Sequence, residues 1–162
     1  MDLHLTLRFL GTLGPEGLSR VEGAAEAVIA LPPVPLCIDR LGHFPRSGIL
    51  WAGTSDPGAG LLGLVERLED ALGAQGFTPE TRPFRAHITL ARKVRRPPPV
   101  AWGHPVPWLA RELVLAAGQE GQVPRYRIRR SWSLTGPFDE PPDPRALCVE
   151  APPGPGPASS ED

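Results

Sequence analysis

The sequence predicts an α+β fold built on antiparallel sheets, and three observations carry that prediction. Apolar residues switch repeatedly between a spacing of two and a helical spacing along the chain. The strand-like stretches leave too little chain between them for the crossovers of a doubly wound parallel sheet. A His-x-Thr-x motif also stands twice, at His4 and at His87, each time on a strand-like stretch with one long helix and further strands around it.

The elements follow in order. In residues 3–9, Leu3, Leu5, Leu7 and Phe9 alternate with His4, Thr6 and Arg8, the pattern of a half-buried strand with one polar face. Gly11 and the Gly14-Pro15 pair break it. Residues 15–31 read as a helix, with Pro15 in the first turn, Leu18, Val21, Ala25, Val28 and Ile29 at helical spacing, and Pro32-Pro33 as the stop. Two strands are expected at 34–41 and 49–53, joined by a loop over 42–48. Leu61, Leu62, Leu64, Val65, Leu68 and Leu72 then form the stripe of a second helix, with Gly76 past its end. Residues 84–92 form the second motif strand. After a proline-rich stretch, 112–117 and 126–134 read as a closing antiparallel pair. The expected division is one domain over 1–136, with motifs at 4–7 and 87–90, and a Pro-rich acidic tail over 137–162. That tail holds eight prolines and is expected to be disordered.

Composition narrows the function classes. At 162 residues, 41% hydrophobic and 22% charged, the chain suits one globular domain. No apolar run approaches the roughly 20 residues that cross a bilayer, and the N-terminus shows no secretory pattern. A cytoplasmic monomer with no membrane partner is the expectation. From Asp139 onward six acidic residues face one basic, leaving 16 basic against 12 acidic residues before it, a net of +4 suited to a phosphate-bearing substrate. Cys37 and Cys148 lie far apart without a metal-binding pattern, and are expected to be free thiols rather than a disulfide.

Residues two apart on a strand share a face, so each motif presents an imidazole beside a hydroxyl while Leu5, Leu7, Ile88 and Leu90 turn to the core. One such motif is commonplace in a sheet; two, with apolar residues at both x positions, are not. Two imidazoles suit phosphodiester hydrolysis, one taking a proton from the attacking water and the other protonating the departing oxygen. Histidine serves because its ordinary pKa, about 6.5, lets both states exist near neutrality. Hydroxyls of Thr6 and Thr89 can donate to the charged phosphate oxygens. This chemistry needs no metal and no cofactor.

The duplicated motif resembles the 2H phosphoesterase superfamily. More closely, residues 3–11, 42–46 leading to 50–53, and 83–92 resemble the RNA 2′,3′-cyclic phosphodiesterases of bacteria and archaea, first described as 2′-5′ RNA ligases. The resemblance implies a bilobal fold, with two antiparallel sheets facing a central groove and helices outside. It also implies hydrolysis of RNA 2′,3′-cyclic phosphate ends, or of a small cyclic nucleotide, to a 2′-phosphomonoester. His4 would be the proton donor, His87 the acceptor, and Arg92 a phosphate contact, although strand parity sets Arg92 on the face of Ile88 and Leu90. Family members carry a strand and helix ahead of the first motif, so either the start at Met1 lies too far downstream or the first lobe is N-terminally truncated, and a truncated lobe is expected to leave His4 at a frayed end. Alternatives are a non-catalytic RNA-end or nucleotide-binding module, another small cyclic phosphate as substrate, or reversible 2′-5′ ligation.

Other features remain two-sided. His43 reads as a solvated loop residue and His104 as structural. Arg125, Arg127 and Arg129 alternate on one strand face, suited either to an RNA backbone or to water. The basic run at 92–96 could extend phosphate binding. Trp51 and Trp132 read as core residues rather than base-stacking ones.

Overall fold

Pro15 opens α1 (Pro15–Glu26), its missing N–H costing nothing in a first turn, and the extended Gly14 precedes it. The helix stops short of the predicted end at 31 for a backbone reason. After Glu26 the chain tightens into turns, with Val28 N–H donating to the Ala25 carbonyl and Leu31 N–H to that of Val28, both at 3.1 Å. Ile29 and Leu31 instead accept from Thr135 and Gly136 at 2.9 and 3.0 Å. The computed structural model describes residues 3–97, 99, 103–119, 121–137, 143–148 and 158–159.

After α1 come β1 (Val34–Ile38), β2 (Arg40–Phe44), β3 (Ile49–Gly53), α2 (Gly58–Ala74) and β4 (His87–Ala91). Then follow β5 (Val106–Ala110), β6 (Glu112–Gly118), β7 (Tyr126–Ser133), a 3₁₀ turn at Pro144–Leu147 and the short β8 (Ala158–Ser159). Gly76 ends α2 in a left-handed conformation, with Phe77 N–H returning to the Leu72 carbonyl and Gly76 N–H to that of Gly73. Strands β4, β3 and β2 form an antiparallel sheet whose outer edge pairs in parallel with β8, while β1 pairs with β5 and β6 with β7, both antiparallel. The fold is thus α+β, as predicted. Its core lies where Val21, Ala24 and Val28 of α1 and Leu61, Leu64, Leu68 and Leu72 of α2 meet Val34 and Leu36 of β1, with Leu115 and Trp132 closing it. No described helix is long and apolar enough to cross a membrane.

Several expectations need correction. Residues 3–9 do not form a strand; a bend at Leu7 leaves a single bridge at Leu5, so Phe9 is 76% exposed while the Arg8 side chain is largely buried. Gly42, His43 and Phe44 belong to β2 rather than to a loop, and His43 is buried instead of solvated. The proline-rich stretch conceals β5, where Pro107 stands opposite Cys37; a strand paired on one side only tolerates proline. Cys37 and Cys148 are joined as a disulfide, not free, because the 3₁₀ turn packs against β1 and β5 and brings the two cysteines together. Most of the expected disordered tail lies outside the described residues, as does Trp102; Trp51 and Trp132 are buried as expected.

Candidate active site

An antiparallel bridge joins Leu5 to Ile88. Extending its register by one residue in each direction sets His4 across from Thr89 and Thr6 across from His87. Directly opposed residues of neighbouring strands share a face. Trp51 stands opposite Thr89 on the other side of β4, and Gly42 opposite Trp51. One row of the sheet therefore reads Gly42, Trp51, Thr89, His4, and the next includes Gly53, His87 and Thr6.

Two glycines in these rows permit close contacts that a side chain would block. A β-carbon on Gly42 would overlap the indole of Trp51, and one on Gly53 would come within 2.6 Å of the Ala86 carbonyl oxygen. The indole lies against Gly42, on the same face as the second histidine. His87 meets the Phe44 ring edge-on at 5.4 Å between centroids and lies 6.4 Å from Trp51. Its Nδ1 is 2.8 Å from the Arg85 carbonyl oxygen, which can only accept, so Nδ1 carries the proton and Nε2 of the neutral ring is the acceptor nitrogen.

Arg92 departs from the strand-parity expectation. Trp51 pairs with Thr89 but Leu50 pairs with Ala91, so Leu90 is an extra residue, a β-bulge. The bulge resets the alternation and returns Arg92 to the face of Thr89. An open groove of about 200 Å³ is lined by His4, Thr89, Arg92, Arg125 and Tyr126, with Leu90 and Ala91 along its side. His4, Thr89 and Arg92 are brought together there. Thr6 is exposed, and neither Thr6 nor His87 is among the groove-lining residues.

Sequence reasoning missed Tyr126, whose ring meets that of His4 edge-on at 4.6 Å and whose hydroxyl receives a 3.4 Å contact from Arg92 Nη2. The available signal was slight: it is the chain's one tyrosine, set between Arg125 and Arg127. The regular Arg125, Arg127, Arg129 face is interrupted as well, since Leu115 pairs with Arg130 and Ala116 with Ile128, leaving Arg129 without a register partner. Among the described residues no three His, Cys, Asp or Glu side chains group closely enough to hold a metal ion.

The N-terminal segment is held from behind. Leu5, Leu7, Leu10 and Leu13 pack against the core. Arg8 Nη1 donates to both Glu69 carboxylate oxygens at 3.1 and 3.0 Å, and Nη2 donates to the Thr78 carbonyl at 2.6 Å. The expectation of a frayed His4 therefore fails: its short segment is bridged on one side, packed beneath and tied to α2.

The sequence profile of the 2′-5′ RNA ligase superfamily matches residues 1–121. The chain is 32% identical over 142 residues to the RNA 2′,3′-cyclic phosphodiesterase of Escherichia coli (strain K12), covering 83% of this chain and 77% of that protein. It is 31% identical over 148 residues to the protein of the same name from Thermus thermophilus, covering 83% and 73%. Among solved structures, that of E. coli LigT complexed with 3′-AMP matches with a TM-score of 0.72 at 31% identity, over 83% of this chain and 78% of that one.

Proposed function

The chain belongs to the 2′-5′ RNA ligase superfamily, and from that premise we propose that it hydrolyses RNA 2′,3′-cyclic phosphate ends to 2′-phosphomonoesters by two-histidine acid–base catalysis. The observation that carries this reading is the Leu5–Ile88 bridge, whose register runs the two His-x-Thr motifs side by side.

In this reading His87 Nε2 takes a proton from water as the water oxygen bonds to phosphorus. The bond from phosphorus to the 3′-oxygen breaks, and His4, as imidazolium, gives that oxygen its proton. Thr6, Thr89 and Arg92 donate to the non-bridging oxygens, where charge accumulates. The Nδ1–H bond of His87 to Arg85 supports the acceptor role because it leaves the lone pair on Nε2. A groove of about 200 Å³ suits the cyclic phosphate and its ribose, with the rest of the RNA outside. No step calls for a metal or cofactor. An RNA 5′-hydroxyl attacking in place of water would form a 2′-5′ linkage by the same proton transfers.

A binding module without turnover is the second reading, favoured by the absence of His87 from the groove lining. The test is incubation of adenosine 2′,3′-cyclic phosphate and of a cyclic-phosphate-ended oligoribonucleotide with chelator present, the product identified by chromatography. We expect the 2′-phosphate, a bell-shaped pH dependence, and losses of about 10²-fold or more in His4→Ala and His87→Ala. Undiminished turnover in His87→Ala rejects the mechanism. Salt-sensitive binding with no product establishes the module instead.

A further inference from the structure

The mechanism leaves one buried histidine unused. His43 is only 6% exposed and, one residue from Gly42 and Phe44 on β2, faces away from the groove. We propose that His43 is a positioning residue for Arg92, an inference that rests on the phosphate-binding role given to Arg92 above.

Three contacts argue for it. His43 Nε2 lies 2.8 Å from the Val94 carbonyl oxygen, and since a carbonyl can only accept, the ring donates. Val94 N–H in turn donates to the Gly48 carbonyl at 2.9 Å. Both backbone polar groups of Val94 are therefore held by the β2–β3 hairpin. The hairpin comes close enough that a β-carbon on Gly48 would meet the Val94 oxygen at 3.3 Å and Lys93 Cα at 3.4 Å.

Between this clamp and Arg92 stands Lys93, at φ +60°. A residue with a β-carbon stays in that left-handed region only where its surroundings hold it there. Arg92 is thus fixed from both sides: the Leu90 bulge turns it toward the groove, and the left-handed Lys93 bends the chain away immediately after it. Loss of the His43 donor leaves a carbonyl without its partner, and the turn at Lys93 loses one of its two ties. The arginine fork then samples directions outside the groove, while His4 and His87 keep their own supports.

The experiment is a double-mutant cycle on the full chain with two readouts, kcat/KM for adenosine 2′,3′-cyclic phosphate and Kd for inorganic phosphate. His43→Leu removes the donor; His43→Gln retains an N–H in reach. We expect His43→Leu to lower kcat/KM and weaken phosphate binding by about tenfold each, with the pH profile unchanged in shape. His43→Gln should recover most of both, and His43→Leu should add almost nothing in an Arg92→Ala background. If His43→Leu fails to fold, His43→Asn, whose donor is too short to reach Val94, takes its place in the cycle. Wild-type values in a folded His43→Leu, or a loss that multiplies fully with that of Arg92→Ala, overturns the proposal. A wild-type chain that binds phosphate without turnover, and loses that binding non-additively in the same cycle, refutes hydrolysis and supports the positioning role.

Discussion

Leu5 and Ile88 form one antiparallel bridge, and through it the two motifs become neighbours across a strand boundary although 82 residues stand between their histidines. Everything the first motif can do depends on the short segment carrying that bridge, which has no ladder of its own. Apolar packing and the Arg8 guanidinium fix it as well, and the Tyr126 ring meets His4 edge-on.

That guanidinium, on Arg8, is the first test. Its side chain is 13% exposed and that of Glu69 is 25% exposed, so the pair is partly desolvated rather than a solvated surface contact. Arg8→Ala leaves the carboxylate and the Thr78 carbonyl short of a charged donor, a loss of about 2 kcal/mol. The melting temperature should fall by roughly 4–8 °C, with faster hydrogen exchange through residues 4–8. An unshifted melt with unchanged exchange would mean that the Arg8 contacts add nothing to the hold on the segment.

Tyr126 links His4 to Arg92, the phosphate contact of the proposed mechanism, so its two contacts separate by substitution. Tyr126→Phe keeps the ring against His4 and loses only the contact with Arg92; we expect about a fivefold loss in kcat/KM, expressed mainly in KM. Tyr126→Ala also removes the ring beside His4 and should lower kcat further. Equal effects from the two variants would show that the ring packing contributes nothing.

Gly42 has no room for a methyl group beneath the Trp51 indole. Gly42→Ala must tilt the indole, and with it the aromatic wall that Trp51 and Phe44 form beside His87. Overpacking of this kind costs roughly 1–3 kcal/mol. Calorimetry and turnover should both register the change, and a neutral result would show that the sheet face is softer than its close contacts imply.

The Cys37–Cys148 disulfide closes a sequence separation of 111 residues. Cross-links over long loops stabilise by about 2–4 kcal/mol, chiefly through the unfolded chain. Reductant, or Cys148→Ser, should lower the melting temperature, and the reduced chain alone should take up two maleimide labels on unfolding. Identical melts with and without reductant would remove the cross-link from the stability of the fold.

Glu80 supplies a pH test. The Arg82 side chain donates to both carboxylate oxygens and its backbone N–H donates to one of them, which together hold the carboxyl at about 2 against a usual 4.5. A depressed folded-state value stabilises above the usual value, and that contribution is lost as pH falls from about 4.5 through about 2. The stability effect is small because the pair is solvent-exposed. A carboxyl NMR titration should show Glu80 ionising well below the other glutamates and moving up toward 4.5 in Arg82→Ala. A midpoint unmoved by that substitution would exclude Arg82 as the cause.

Local periodicity alone determines much of this molecule. The stripes of Leu61, Leu64, Leu68 and Leu72, the proline at the start of α1, the glycine after α2 and the repeated His-x-Thr are relations among near neighbours in the chain, so the sequence alone displays them. Pairing between distant segments is decided by tertiary packing. One extra residue at Leu90 reverses the parity that would have turned Arg92 away from the groove, and nothing near Leu90 announces that Leu50 and Trp51 will straddle it. The same holds for the burial of His43, the approach of Tyr126 to His4 and the joining of Cys37 to Cys148. The two histidines were legible in the sequence because each motif is local. The pairing that sets the two motifs side by side was not, because strand register is a long-range property that a one-residue shift inverts.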